Sequence, residues 1–224
     1  MSTRTEATRQ RLFDAAMELI GQRGAEAVTV DEIAAAAGVA KGTVYYNFGS
    51  KNELVAQLLQ HGMGMLMAAL APAGRAEPAQ HAAHDAGPSP HARTSPERGA
   101  VAAPSPADDT FHEVRGMVTR ALRFIEAYPG FVRLWMGEQW RGDGTWHTLL
   151  AARRAEVLVV IRGALDRVAA RREPAPGQDL DVVATALFGA AFMVGMDRVS
   201  TTPPKPLAPA AEAITALAIG AFGG

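Results

Sequence analysis

The sequence predicts an all-α protein of about nine helices, with a three-helix unit at the N-terminus and a larger helical bundle behind it. Apolar residues recur at helical spacing over most of the chain, and helix start and stop signals punctuate them. No segment alternates apolar and polar residues with the period of two that a half-buried strand needs, and no internal repeat is visible. With 224 residues, 48% of them hydrophobic and 20% charged, the chain is long enough to bury about 70% of its unfolded surface.

Leu12, Ala15, Ala16, Leu19 and Ile20 fall at i, i+3, i+4, i+7 and i+8, one apolar face of a first helix that Gly24 stops. Thr29 to Glu32 reads T-V-D-E, a capping box in which hydroxyl and carboxylate satisfy each other's orphan backbone donors. Val28 and Ile33 flank it where a hydrophobic staple belongs. This second helix runs to Ala37, Gly38 and Val39 form a short turn, and a third helix follows from about Ala40 to Phe48. Ser50-Lys51-Asn52-Glu53 is another capping box, opening a long fourth helix through Leu54, Val55, Leu58, Leu59, Met65 and Leu66.

From Ala71 to Asp108 the composition changes: 38 residues hold 7 prolines, 12 alanines and a single large apolar side chain, Val101. Such a segment cannot bury enough surface to offset its ordering entropy, so a disordered insertion is expected. Its three histidines, His81, His84 and His91, are irregularly spaced, with no carboxylate or thiolate to complete a metal site.

Helical patterning resumes at Thr110-Phe111-His112-Glu113, read as a third capping box, with Phe111, Val114, Val118, Leu122 and Ile125 on one face. Pro129 closes that helix and opens a short one carrying Phe131, Leu134 and Trp135. After a Gly142-Asp143-Gly144 loop, a long helix runs through Leu150, Val157, Ile161, Leu165 and Val168, with Arg171 and Arg172 complementing its dipole and Pro174 beyond. Two final helices, about Leu180 to Val199 and Ala208 to Phe222, are apolar nearly all round. One such helix could be the buried centre of a monomer. For two in succession at the C-terminus, the second face is expected to meet another subunit, with Gly189, Ala190, Ala191 and Gly195 allowing close approach.

The chemistry-bearing stretch is Gly38 to Lys51. In a helix-turn-helix the second helix enters the major groove, its first residues reaching base edges while neighbours hold phosphate. Lys41, Thr43, Tyr45, Tyr46 and Asn47 crowd donors onto one short helix, and Val44 and Phe48, four apart, face inward. Lys51 opposes the dipole at the start of its helix, which makes sense if Lys51 and the free amides after Ser50 clamp a phosphate.

From about Thr8 to Leu59 the chain resembles the DNA-binding domain of TetR-family transcriptional regulators. The resemblance rests on Phe13-Asp14-Ala15-Ala16, Gly24, Thr29 to Ala34, Ala37-Gly38-Val39, Lys41 to Tyr45, Phe48, Ser50-Lys51 and Glu53-Leu54. It implies a homodimer that binds a palindromic operator on double-stranded DNA and releases it when a small molecule enters the C-terminal bundle. By position, Thr29, Tyr45 and Lys51 match phosphate contacts, and Lys41, Gly42, Thr43 and Tyr46 match the groove-facing end of the recognition helix. Asn47 replaces the family's usual histidine but can still donate to phosphate, and Ala40 replaces the usual serine or threonine cap, a loss of about 1 kcal/mol. An insertion between helices four and five bears on the relay that the family routes through helix four.

The expected organisation is a DNA-binding domain over residues 1–50, a connecting helix over 51–70, the insertion over 71–108 and a ligand-binding and dimerisation domain over 109–224. A formal net charge of −1 argues against a protein that coats nucleic acid, though not against a local phosphate-binding surface. Without cysteine there are no disulfides, thiolate metal sites or cysteine nucleophiles. Neither helical zone holds an H-E-x-x-H, G-x-S-x-G or phosphate-loop motif, so an enzyme, a cofactor and a metal are not expected. The longest uncharged apolar stretch, Val182 to Met196, has 15 residues, short of the roughly 20 that span a bilayer, and a cytoplasmic protein is expected. Trp135, Met136, Trp140, Phe188, Phe192 and Met193 are the candidate pocket, with Glu138, Arg141, His147 and Asp197 as polar groups near it, for a mostly apolar effector. A DNA-binding regulator without an effector, or an activator, is the alternative.

Overall fold

The computed structural model describes residues 3–71, 110–139 and 146–223. Among them the chain forms nine helices and no strand: α1 (Thr3–Arg23), α2 (Val30–Ala36), α3 (Lys41–Phe48), α4 (Lys51–Leu70), α5 (His112–Ala127), α6 (Pro129–Gln139), α7 (His147–Ala169), α8 (Leu180–Arg198) and α9 (Leu207–Gly220). The segment read as a disordered insertion, 71–108, lies outside the described residues apart from Ala71, and so do its three histidines.

The N-terminal helices take their limits from local chemistry. Thr29 caps α2 with both halves of the capping box formed, and the staple residues Val28 and Ile33 are fully buried. Gly38, at φ +65°, makes the left-handed turn that lets α3 start three residues later. Ser50 caps α4 by accepting from the Glu53 amide at 3.1 Å, while the Glu53 carboxylate turns to Gln57, so only half of that predicted box forms.

In the third zone long-range partners displace local ones. Phe111 occupies the N-cap of α5 with no side-chain cap, so the box expected at Thr110 to Glu113 is absent. The Glu113 carboxylate pairs instead with Arg167 on α7, whose Nε lies 2.7 Å away and whose second guanidinium nitrogen also bonds it. That pairing pulls the carboxyl below its ordinary range. Arg172, expected to serve the end of its own helix, donates to the carbonyls of Phe222 and Gly223 just past α9.

α1, α2, α3 and the first half of α4 enclose one end of the core around Leu12, Ile20, Ile33, Val44, Leu54 and Leu58. The second half of α4 continues into the bundle, where α5 lies against α4, α8 and α9. α1 also packs along α6, and there the backbones nearly touch: a Cβ added to Gly21 would stand 2.4 Å from the Gly130 Cα. Arg133 locks the crossing by donating to the Gly21 carbonyl at 2.9 Å. Gly195 serves a close approach as expected, but within the chain, since a Cβ there would meet Ile125 of α5 at 2.6 Å. Nothing lies within 4 Å of the Cβ position of Gly189, which faces outward.

Candidate functional site

The recognition helix is anchored by two side chains and open elsewhere. Val44 and Phe48 are buried as their spacing requires, each stabilising the helix's seat by roughly 1.5–3 kcal/mol. Phe48 meets Phe13 of α1 with ring centroids 5.3 Å apart, and the Arg9 guanidinium sits 5.1 Å from the Phe48 centroid. Tyr45 is 46% and Tyr46 86% exposed. Lys41 and Gly42 are exposed with them, and Thr43 and Asn47 are half-buried. Ala40 caps the helix through no side chain.

Several of these groups have partners on the protein. Lys41 reaches Asp31 of α2 at 2.8 Å, which raises its pKa, but both side chains are more than half exposed and such a pair is weak. Asn47 turns one amide N–H back to the Thr43 carbonyl at 2.7 Å, leaving the other free to donate outward. Lys51 donates to the Glu26 carbonyl at 3.3 Å, so its ammonium stands beside the loop that precedes α2.

Thr29 is more committed. Its hydroxyl donates to Glu32 at 2.8 Å while accepting from the Glu32 amide, so its proton must leave Glu32 before it can reach a phosphate. The Thr29 amide N–H, followed by Arg23 at 2.7 Å and the Thr29 hydroxyl, holds the Glu32 carboxyl down at about 2. This knot joins the end of α1 to the start of α2 and thereby fixes the platform on which α3 rests.

The bundle holds an apolar cavity of about 60 Å³ between α4, α5, α6, α7 and α8. Trp135, Phe188 and Phe192 line it as the sequence suggests. Met136 and Met193 do not: Met136 is half-buried elsewhere, and Met193 is 65% exposed on the outer face of α8. Trp140 and Arg141 lie outside the described residues. Leu66, Leu70, Met117 and Phe124 line the cavity and went unread, because side-chain type does not reveal that α4 and α5 face it. Of the proposed polar groups that are described, none lines it: Glu138 is buried apart from the cavity, His147 is exposed, and Asp197 pairs with Lys205 at 2.7 Å.

α4 connects the two sites. Leu54 and Leu58 are buried in the N-terminal core, and Leu66 and Leu70 line the cavity, roughly 18 Å further along the helix. α6 makes a second connection, since Val132 and Trp135 line the cavity while Gly130 abuts Gly21 of α1. The same α6 sends the Phe131 ring against Gly62 of α4, where an added Cβ would fall 2.3 Å from it.

Residues 12–58 match the family model for bacterial regulatory proteins of the tetR family. The HTH-type transcriptional regulator SrpR of Pseudomonas putida is 44% identical over 54 residues, covering 24% of this chain and 25% of the relative. Matched segments thus span about a quarter of the length of such curated relatives. A TetR-like transcriptional regulator from Rhodococcus sp. RHA1 is similar in fold at TM-score 0.68 and 21% identity, over 97% of both chains. FadR of Bacillus subtilis, solved in complex with stearoyl-CoA, matches at TM-score 0.66 and 16% identity over 95% of this chain and 98% of its own. The exposed recognition helix thus lies in the stretch that matches the tetR family model, and the helical frame matches that of TetR-like regulators in fold almost end to end.

Proposed function

We propose that this protein is a cytoplasmic, homodimeric transcriptional repressor that binds a palindromic DNA operator and lets go when a small, mostly apolar molecule enters the bundle. The carrying observation is the junction: α4 and α6 each touch the apolar cavity at one end and the helices that seat α3 at the other. Lys41, Gly42, Thr43 and Tyr46 would face the groove, and Tyr45, Asn47 and Lys51 the phosphates, with Thr29 joining once its hydroxyl proton leaves Glu32.

The second copy would dock on α8 and α9. α8 meets the length and apolarity of a bilayer span, yet only 22% of that stretch is buried. Its Asp181 is tied to Arg162 of α7, and its neighbours in space are α5, α7 and α9. Val182 and Met193 of α8 and Leu217 of α9 are 64%, 65% and 55% exposed, an apolar face that a two-fold partner would cover. Such a dimer presents two recognition helices to major grooves roughly 34–36 Å apart.

Effector binding would act by opening the bundle. A cavity of about 60 Å³ is smaller than the roughly 150 Å³ that admits benzene, so a ligand must push its walls apart. Two of those walls, α4 and α6, support the DNA-binding helices. A ligand that prefers the opened bundle thereby prefers a changed spacing of the recognition helices, as any population shift requires. The stearoyl-CoA in the FadR relative is a ligand with a long apolar chain, in keeping with such walls.

The test is selection of bound sequences from a random DNA pool, titration of the winner at several salt concentrations, and sedimentation of the protein alone and on DNA. An enriched palindrome bound by a dimer, with affinity falling steeply as salt rises, is the expected result. A monomer in solution and on DNA, or no enriched sequence from low to physiological salt, would overturn the reading.

A further inference from the structure

One ion pair beside the recognition helix does little for the fold. Lys41, the first residue of α3, and Asp31, the second of α2, meet at 2.8 Å with both side chains more than half exposed. A pair so open to water is too weak to hold two helices together, and the buried Val30, Ile33, Val44 and Phe48 already seat them. Gly42, next to Lys41, has nothing within 4 Å of its Cβ position, so another molecule can come close to the pair.

The pair holds a donor and an acceptor side by side. In the major groove a G·C pair offers the complement, with guanine N7 and O6 as acceptors and cytosine N4 as donor. N4 and O6 are joined by a hydrogen bond of about 2.9 Å, close to the 2.8 Å between Lys41 Nζ and Asp31 Oδ2. The ammonium can therefore meet N7 and O6 while the carboxylate accepts from N4. An A·T pair fits worse, because its one donor, adenine N6, lies between two acceptors and the thymine methyl stands beside them. Phosphate is a poor target for Lys41, since the carboxylate at 2.8 Å offsets the charge that would attract it.

We propose that Asp31 and Lys41 together read one G·C base pair in each half-site, Lys41 donating to guanine N7 and O6 and Asp31 accepting from cytosine N4. This rests on the DNA-binding reading and adds a residue of α2 to the recognition surface. It also separates two lysines: Lys41 selects a base pair, whereas Lys51 attracts phosphate at any sequence.

The full-length protein, Asp31→Ala and the double variant Asp31→Ala, Lys41→Ala are each put through selection from a random DNA pool. The parent's winner is then titrated against all three at several salt concentrations. The double variant should lose its preference at one position per half-site, occupied by G·C in the parent, and keep the rest of the palindrome. Replacing that pair should weaken the parent on the order of ten-fold and the double variant within about two-fold. The slope of log K against log salt should stay at the parent's value, because no phosphate contact has gone. Asp31→Ala alone should relax the same position. If it does not while the double variant does, Lys41 reads alone and the part given to Asp31 falls. If the double variant keeps every preference, loses one at a pair other than G·C, or loses about 1 in slope, the base-reading assignment falls and the DNA-binding reading stands. If the parent enriches no sequence, the DNA-binding reading falls and takes this one with it.

Discussion

Two short helices, α3 and α6, pack on the N-terminal helices in opposite ways. α3 has 8 residues and buries two of them, Val44 and Phe48, leaving Tyr46 at 86% exposure. α6 has 11 residues and buries Phe131, Val132, Leu134, Trp135 and Glu138, with its first turn jammed against α1. A helix proposed to be read from outside can spare packing, because its exposed side chains answer to another molecule. A helix wedged between a cavity and a domain can spare none, because each buried residue transmits a displacement. Surface substitutions on α3 should therefore change DNA recognition at constant stability, and substitutions under α6 should change stability and coupling together.

The sharpest way to break that contrast is Gly21→Ala. The new methyl carbon would stand within 2.7 Å of three Gly130 backbone atoms, which cannot rotate away as a side chain does. Overpacking of this kind costs about 3 kcal/mol, or roughly 6–12 °C in Tm for a chain of this size, measurable by circular dichroism. A Tm within about 2 °C of the parent would show that α1 and α6 slide freely and do not couple rigidly. Where the variant does fold, DNA affinity should become less responsive to a cavity ligand.

Next in size are the DNA-facing changes, which should leave Tm alone. Thr43→Ala should cost about 1–3 kcal/mol on the selected operator and relax the preference at one or two base positions. Lys51→Ala should weaken all sequences alike and lower the slope of log K against log salt by about 1. Should Lys51→Ala leave both affinity and slope unchanged, its bond to the Glu26 carbonyl is its whole role.

These predictions divide as the residues did in the sequence. Capping boxes, the Gly38 turn and the i, i+4 pair Val44 and Phe48 act over a few residues, so the N-terminal helices and their exposed face could be read directly. Where a partner comes from far along the chain, local reading failed: Glu113 left its expected cap for Arg167, 54 residues on, and Arg172 crossed to the end of α9. The cavity is the extreme case. Trp135, Phe188 and Phe192 line it because large aromatics in a bundle tend to meet, whereas Met193 lies outside it and Leu66 within because only the packing angles of five helices decide which side chains face one another.

Gly42→Ala sharpens the comparison with a smaller effect. Gly42 lies inside α3 with nothing within 4 Å of its Cβ position, so the protein's own packing does not ask for glycine there. Alanine should raise stability by up to about 1 kcal/mol from helix propensity. On the proposed groove-facing side, the same methyl would crowd the DNA, and operator affinity should fall while Tm rises. Opposite signs in the two measurements would separate function from packing at one atom; a rise in both would mean Gly42 faces away from DNA.

The smallest expected effect reaches α3 through its platform. Glu32 is held down at about 2 by the Thr29 amide, Arg23 and the Thr29 hydroxyl. A carboxyl whose folded value lies below its unfolded one adds stability that is fully present above the ordinary range near 4.5, and that stability fades as pH falls toward about 2. Between those limits protonation should loosen the join of α1 to α2 before the bundle responds, since Glu32 is surface-exposed and remote from the cavity. Amide exchange in α2 and α3 at pH 5 and pH 3 measures it. Lower protection factors at pH 3 than at pH 5 in the parent, once the intrinsic pH dependence of amide exchange is divided out, and little change in protection in Glu32→Gln, is the expected pattern. Equal pH dependence in both would place the acid response on another carboxyl and leave the recognition helix seated by Val44 and Phe48 alone.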